Sequence, residues 1–255
     1  MMLLDTLFSR IRVFRVRLRY PYYKAKFKHK NLKFIWDNSD NYQTLKQMLK
    51  QKQYKKVVII GNAPNITDLS DKKYRAYQND PNTLTIGLNR SYLLFHTNIV
   101  LFGDHFVMQE LAKERTKIEP TTFLFASQLL DDRLSSLKWW KEHKTLKNYP
   151  YKTLFKARTI LISALALAYT LEIKEIHLYG VSLDDGKRFY ENEETNNKRQ
   201  TIEFLSQKQI DKQQLGYDVQ KIVKEVIKSM IQEGFQISYG GESNFLSSLK
   251  GIKKC

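Results

Sequence analysis

The stretch of sequence that most restricts the fold is the run Val57-Val58-Ile59-Ile60, which ends at Gly61. All four residues are β-branched and apolar, so the run predicts a strand whose two faces are both buried. Strands that are buried on both faces occur in parallel sheets, because helices cover both sides of such sheets. The run therefore predicts a parallel sheet.

Further apolar runs alternate with segments of helical pattern along the chain. The predicted strands are Thr83–Leu88, Asn98–Phe102, Thr121–Phe125, Glu175–Tyr179 and Phe235–Tyr239, and the predicted helices are 40–53, Ile160–Leu171 and 218–232. This alternation predicts an α/β fold, a modified Rossmann-like open parallel sheet with helices on both faces. The length of 255 residues and the hydrophobic content of 42% suffice for such a core.

The positive charge of the chain is concentrated at its start. The net charge is +17, and the first 33 residues contribute +9, with ten Lys and Arg residues against Asp5. Apolar residues recur there at helical spacing between arginines: Leu4, Leu7, Phe8, Ile11, Phe14 and Leu18. Such a basic amphipathic helix is typical of segments that lie in an anionic membrane interface. Two alternatives stay open, namely a helix docked on the domain and a segment that binds nucleic acid.

The charge pattern predicts how the chain is organised. We expect residues 1–40 to form a basic amphipathic membrane-associating arm that contacts an anionic membrane surface through residues 1–33. Pro21 is expected to end the helix of this arm, and residues 24–40 are expected to form a connector. A Rossmann-like domain is expected over residues 41–255, in which the polar segment 184–215 forms a lid over the strand ends.

Composition also bears on the compartment. No stretch of 18 apolar residues occurs, so we expect no transmembrane helix, and the start of the chain lacks the features of a secretory signal. The single cysteine, Cys255, excludes a disulfide framework and a cysteine-built zinc site, and it fits a reducing compartment. These observations predict a cytoplasmic protein that is peripheral on the inner face of the bacterial cytoplasmic membrane.

Glycines and polar residues follow four of the predicted strands. They are Gly61-Asn62-Ala63-Pro64, Asn89, Asp104-His105 and Gly180-Val181-Ser182. The carboxyl ends of parallel strands share one edge of the sheet, and ligands of open α/β proteins bind at this edge. The turn after Ile60 matches neither G-x-G-x-x-G nor a Walker loop, so the sequence does not indicate a dinucleotide site or a P-loop.

Short blocks within residues 55–245 resemble a family of bacterial enzymes. The blocks are Gly61–Pro64, Asn89, Ser163–Ala168 and Lys174–Ser182. In this order they resemble blocks of the CMP-sialic-acid-dependent lipooligosaccharide sialyltransferases. Residues 179–192 also resemble lipopolysaccharide-core Kdo transferase-like proteins, and similar blocks occur in MptE-like pterin diphosphokinases.

The resemblance implies a glycosyltransferase that moves a CMP-activated acidic sugar, sialic acid or Kdo, onto a lipid-linked saccharide of lipooligosaccharide, lipopolysaccharide or capsule. It implies neither a metal nor a cofactor besides the nucleotide-sugar donor. Asn62 and Asn89 match asparagines that hold the phosphate and ribose of the donor, and Arg158 and Thr159 lie near the stretch beside its sugar and phosphate. The expected donor site comprises residues 61–64, Asn89, Thr159, Gly180 and Ser182.

Transfer to a sugar hydroxyl needs a base near the acceptor and charge relief on the departing phosphate. The later histidine of the resembled family has no counterpart, because no histidine follows His177 in this chain. The candidates for the base are His105 and Asp104, and Arg158 is the candidate that neutralises the phosphate.

Other interpretations concern metal and partners. Asp184-Asp185-Gly186 is interpreted as a solvated acidic loop rather than a magnesium site. A diphosphokinase that uses ATP and Mg²⁺ stays open as an alternative function. A basic nucleic-acid-binding protein is the other alternative, although the chain contains no recognisable nucleic-acid module, and nucleic acid is therefore not an expected partner. The sequence leaves a homo-oligomer open.

Overall fold

A computed structural model describes residues 18–113, 121–126, 130–157, 159–184, 188–190 and 219–255. Eight strands form one sheet, in the order β1-β5-β4-β3-β2-β6-β7-β8, and all neighbours are parallel. The strands are β1 Lys33–Trp36, β2 Lys56–Ile60, β3 Thr83–Leu88, β4 Ile99–Phe102, β5 Thr122–Phe125, β6 Glu175–Tyr179, β7 Gln236–Tyr239 and β8 Lys253–Lys254. The predicted open parallel sheet is thus confirmed.

Helices cover both faces of this sheet. The described helices are α1 (18–29), α2 Asp40–Gln51, α3 Asp71–Asn79, α4 His105–Lys113, α5 Leu130–His143, α6 Ile160–Thr170, α7 Val219–Gln232 and α8 Asn244–Ser247, with 3₁₀ turns at Pro64–Asp68 and Asn89–Leu93. None of the helices in the described ranges is both long and apolar enough to cross a membrane.

The alternation of side chains along the strands divides the core into two sides. Val57 and Ile59 of β2 point into one cluster, where α2, α5, α6 and α7 pack. Val58 and Ile60 point to the opposite side, where α3 packs. On that opposite side, α1 and α4 cover the aromatic residues of β1, β4 and β5. We call these two sides the α6 side and the α1 side.

The predicted strands are all present, and their ends differ from the prediction by at most one residue. The helices predicted over 160–171 and 218–232 are α6 and α7. Helix α6 is the most deeply buried, since every side chain from Leu161 to Ala168 is buried. A helix that is apolar all round fits this interior position.

The expected connector over residues 24–40 is wrong. The chain is helical through residue 29, beyond Pro21, and Lys33–Trp36 is a strand that pairs with Thr122–Phe125. Tyr23 and Phe27 lie one helical turn apart and are 5% and 0% exposed, and their burial on the sheet stabilises the helix beyond Pro21. Residues 33–36 therefore belong to the sheet, and not to an arm that ends at residue 40.

A buried ion pair joins the end of β1 to the segment before α6. The Lys156 ammonium lies 2.7 Å from an Asp37 carboxylate oxygen, and the two side chains are only 4% and 0% exposed. The Asp37 backbone N–H also donates to the Phe125 carbonyl at the end of β5, at 3.2 Å. The pair thus ties the entry of α6 to the edge of the sheet.

Replacing Lys156 by methionine is expected to lower the free energy of unfolding by about 3 kcal/mol, because the Asp37 carboxylate then stays buried without this ammonium. Urea denaturation would measure the change. Lys138→Met is the matched control, since the Lys138 side chain is 78% exposed and its ion pair contributes little. A loss below about 1 kcal/mol in Lys156→Met would show that the pair does not stabilise the fold.

Candidate functional site

The strand order reverses between β2 and β6. The chain proceeds from β2 to β3 and β4 on one side, and β6 and β7 lie on the other side of β2. In open α/β sheets, ligands bind in the crevice at the carboxyl ends of the two strands where this reversal occurs. By this rule the candidate ligand site of this protein lies at the carboxyl edge beside the turns that begin at Gly61 and Gly180, after β2 and β6, and we call this position the crevice.

Two glycines let the backbones at the crevice approach closely. The Gly61 N–H donates to the Tyr179 carbonyl at 2.7 Å, and the Ala63 N–H donates to the Gly180 carbonyl at 2.8 Å. A Cβ atom on Gly61 would lie 2.2 Å from the Gly180 oxygen, and Gly180 has a φ of +62°. Because carbonyls across the turn accept both N–H groups, neither is available to a phosphate, and the turn does not act as a P-loop.

The Asn62 side chain bridges two strand ends. Its Nδ2 donates to the Leu88 carbonyl at 2.9 Å, which fixes the orientation of the amide. Its Oδ1 is buried, and no donor among the described residues lies within hydrogen-bonding distance. A buried acceptor without a donor costs about 1–3 kcal/mol, so this oxygen is a candidate for a hydrogen bond from a ligand or from water.

Asn89 presents a second acceptor of the same kind. It follows β3 directly, has a φ of +49° and begins the turn Asn89–Leu93. Its Oδ1 is also buried, and the described part of the chain supplies no donor to it. The ends of β2 and β3 thus carry two buried amide oxygens that lack donors.

A short part of the expected lid lies beside these asparagines. The Phe189 N–H donates to the Asn62 carbonyl at 3.0 Å, and Phe189 packs against the cluster around Ile60 and Tyr179. The Arg188 guanidinium donates to the Tyr190 hydroxyl at 3.1 Å. The remainder of segment 184–215 lies outside the described residues, apart from Asp184.

Arg90 connects this segment to α4. Its guanidinium lies 4.8 Å from the centre of the Tyr190 ring, and it binds both carboxylate oxygens of Glu110, with an Nε–Oε2 distance of 2.7 Å. The hydrogen bonds that the Arg90 guanidinium donates to Glu110, opposed by partial burial, raise the pKa of Arg90. Sequence reasoning missed this pair, although Arg90 stands next to the predicted Asn89.

Three further residues that were predicted to bind the nucleotide-sugar donor lie at the same edge. Each of them makes a contact within the protein. Pro64 begins the 3₁₀ turn after Ala63. The Thr159 hydroxyl caps α6 by accepting from the Leu161 N–H at 3.3 Å. The Ser182 carbonyl accepts from the Ser243 hydroxyl at 2.8 Å. The contacts that they make are structural, whereas Asn62 and Asn89 each present a buried acceptor at this edge.

The predicted catalytic residues are only partly described. Asp104 is exposed and lies between the end of β4 and the start of α4. His105 is the first residue of α4, and its side chain lies outside the described part of the chain. Arg158 also lies outside the described residues. The roles of these three residues therefore stay predictions.

The Asp184 carboxylate supports the loop interpretation of residues 184–186. It accepts from the backbone N–H groups of Asn244 and Phe245, at 3.1 and 2.8 Å, and so caps the short helix α8. Asp185 and Gly186 lie outside the described residues.

An open cavity of about 340 Å³ lies at the opposite edge of the sheet. It is lined by the second half of α2 and by the residues that begin β1, β4 and β5, among them Leu49, Tyr54, Asn98 and Thr122. It is therefore separate from the crevice at the carboxyl edge.

The fold is an open parallel α/β sheet, and Asn62 and Asn89 lie at its carboxyl edge, beside the switch point where the strand order reverses. The chain is similar to solved structures of two sialyltransferases, CstII and Cst-I from Campylobacter jejuni. CstII with the substrate analogue CMP-3FNeuAc is 14% identical, with 72% of this chain and 81% of that chain covered and a TM-score of 0.39.

A variant of CstII in complex with CMP is 16% identical, with 72% and 80% coverage and a TM-score of 0.43. The α-2,3-sialyltransferase Cst-I is 15% identical, with 73% and 75% coverage and a TM-score of 0.39. No family model matches the chain, and no curated protein is significantly similar to it.

Proposed function

We propose that the protein is a glycosyltransferase that moves a CMP-activated acidic sugar, sialic acid or Kdo, onto a lipid-linked saccharide. The observation that carries the proposal is the pair of buried acceptors, Asn62 Oδ1 and Asn89 Oδ1, at the switch point. The sequence blocks around both residues resemble those of sialyltransferases. This resemblance is the reason for proposing a CMP-activated sugar as the donor.

The chemistry of these two acceptors fits a nucleoside. Phosphate oxygens at neutral pH accept hydrogen bonds, so they cannot satisfy an amide oxygen. Ribose hydroxyls and the amino group of cytosine are donors and can satisfy it. We therefore assign Asn62 Oδ1 and Asn89 Oδ1 to the nucleoside part of the donor.

The phosphate of the donor needs positive potential elsewhere. Helix α6 has eleven residues and begins after Thr159, at the edge where β2 and β6 end. The N-terminus of a helix attracts anions through its unpaired N–H groups and its dipole. We propose that the phosphate lies near this N-terminus, that Arg158 neutralises it on departure, and that no metal is needed.

The base is proposed to be Asp104 or His105. Both follow β4, next to β3 and Asn89 in the sheet. Either group can accept the proton of an acceptor hydroxyl when it lies within hydrogen-bonding distance. The acceptor is proposed to be lipid-linked, with the protein peripheral on the cytoplasmic face of the inner membrane, because the first 33 residues carry a charge of +9.

Thermal unfolding with different nucleotides tests the donor. A ligand that binds only the native state raises Tm, and CMP at a hundred times its Kd should raise it by about 5 °C or more. Hydrolysis of CMP-sialic acid and CMP-Kdo, with UDP- and GDP-sugars as controls, would identify the sugar.

The outcomes separate the possible functions. Stabilisation by ATP and Mg²⁺ without stabilisation by CMP would contradict the proposal and favour a diphosphokinase. Tight and steeply salt-dependent association with RNA or DNA, without an effect of CMP, would favour a nucleic-acid-binding protein.

A further inference from the structure

Helix α1 has an inner face and an outer face. Tyr23 and Phe27 pack against the sheet, and the Phe27 ring lies 4.9 Å from the Phe34 ring. On the opposite face of the helix, Leu18 and Tyr22 are 64% and 56% exposed, and Ala25 is exposed as well. Helix α1 therefore packs on the sheet with its inner face and exposes a second, partly apolar face to solvent.

Positive charges flank this outer face on both sides. At 100° per residue, Arg19 and Lys26 lie on one side of the line through Leu18, Tyr22 and Ala25, and Lys24 and Lys28 lie on the other. All four cations are exposed. No acidic residue occurs between positions 18 and 36, so no carboxylate within this segment offsets them.

The contacts of α1 fix its direction along the sheet. Tyr20 contacts Trp36, the last residue of β1, with ring centres 5.7 Å apart. Phe27, near the other end of the helix, contacts Phe34 and also Phe123 near the start of β5. Helix α1 therefore runs antiparallel to β1, and its residue 18 lies at the carboxyl edge, the edge with the candidate crevice.

Two more exposed leucines are found on the α1 side of the sheet. Leu93 and Leu94 are each 50% exposed. Their neighbour Tyr92 lies 6.0 Å from Phe123, and Phe95 lies 4.7 Å from Tyr74 of α3, so both packed neighbours belong to this side. The α1 side thus carries four of the large exposed apolar side chains of the described residues.

We propose that the outer face of α1 is a docking surface for an anionic phospholipid bilayer, which orients the α1 side of the sheet toward the lipid. This inference rests on the membrane association proposed above. It adds which surface of the protein contacts the bilayer and how the protein is oriented on it. Apolar side chains between rows of cations match the boundary between acyl chains and anionic headgroups. In this orientation the carboxyl edge stays beside the membrane, where a lipid-linked acceptor reaches the crevice.

A charge reversal in the full chain tests the surface. Lys24, Lys26 and Lys28 are replaced by glutamate, and the control replaces Lys221, Lys224 and Lys228, which are exposed on α7 of the α6 side. Both variants have the same net charge. Binding to vesicles with anionic phosphatidylglycerol should weaken about a hundredfold in the first variant and stay within about threefold in the control.

The two variants also test vesicle binding separately from CMP binding. Each variant should keep the Tm increase that CMP causes, because neither set of lysines is among the residues assigned to the donor. Equal loss of vesicle binding in both variants would overturn the proposed surface, and so would equal binding to neutral phosphatidylcholine vesicles. Binding of RNA that is tighter than vesicle binding would overturn the choice of a bilayer as partner.

Fluorescent labels test the orientation directly. Replacing the only cysteine by Cys255→Ser permits single labels at Tyr22→Cys on the α1 side and at Lys138→Cys on α5 of the α6 side. Spin-labelled lipids should quench the first label at least threefold more strongly than the second. Equal quenching, or stronger quenching at position 138, would contradict the orientation.

Discussion

Replacing Asn62 by alanine is expected to weaken CMP binding by about a hundredfold. The variant loses the buried Oδ1 acceptor, and it also loses the Nδ2 hydrogen bond that holds Asn62 against the Leu88 carbonyl. Without the acceptor, a hydroxyl or amino group of the bound nucleoside has no partner, which costs about 1–3 kcal/mol, and 1.4 kcal/mol corresponds to a factor of ten in affinity. The Nδ2 bond is present with and without CMP, so its loss lowers stability rather than affinity. Isothermal titration with CMP measures the change.

Asn98→Ala is a control that is expected to lose stability but to keep its affinity for CMP. The Asn98 Oδ1 accepts from both the backbone N–H and the hydroxyl of Thr85, each at 2.8 Å, so both of its bonds are structural. This variant should lose about 1–2 kcal/mol of unfolding free energy and keep its affinity for CMP. A CMP affinity of Asn62→Ala within threefold of the unchanged protein would rule out Asn62 as a ligand of the nucleoside.

Gly61→Ala is expected to cost about 3 kcal/mol or more of unfolding free energy. The added Cβ would lie 2.2 Å from the Gly180 oxygen and 2.9 Å from the Val181 Cγ2, and the first of these is a backbone atom that no side-chain rotation can move. The turns after β2 and β6 would have to separate. CMP affinity should therefore fall together with stability.

Gly234→Ala distinguishes this steric effect from loss of glycine flexibility. Gly234 also has a φ that disfavours other residues, +84°, but apart from its chain neighbours the described residues place no atom within 4 Å of the added Cβ. The expected cost is about 1 kcal/mol, without a change in CMP affinity. If Gly61→Ala were no more destabilised than Gly234→Ala in urea, the close approach of the two turns would not be important for stability.

The interior strands could be predicted because their residues are apolar on both faces. Thr83–Leu88 and Glu175–Tyr179 have the predicted bounds, and β2 begins one residue before its prediction. Strand β1 was missed because it has only four residues, Lys33 to Trp36, and follows a lysine-rich segment. Four residues are too few to show the alternation or the apolar run that indicates a strand. Its partner Thr122–Phe125 is distant in sequence, and pairing of that kind leaves no local signal.

Part of the candidate site could be predicted because its residues directly follow these strands. Gly61, Asn62, Asn89 and Gly180 follow strong strand patterns, so their common edge could be inferred from the parallel sheet. The ion pair between Arg90 and Glu110 could not be inferred, because it depends on how α4 packs against the turn after β3. That no described residue donates a hydrogen bond to either amide oxygen likewise depends on the three-dimensional surroundings alone.

The pairing of β2 with β6 has a consequence for synthesis on the ribosome. Lys56 pairs with Glu175, so β2 is made about 120 residues before its partner. At about 5–20 residues per second, one edge of this apolar strand stays open for roughly 6–24 s during translation. Until then the nascent chain has an unpaired strand edge, which is a site for aggregation or for a chaperone. The two hydrogen bonds that join the turns at Gly61 and Gly180 can form only after this interval.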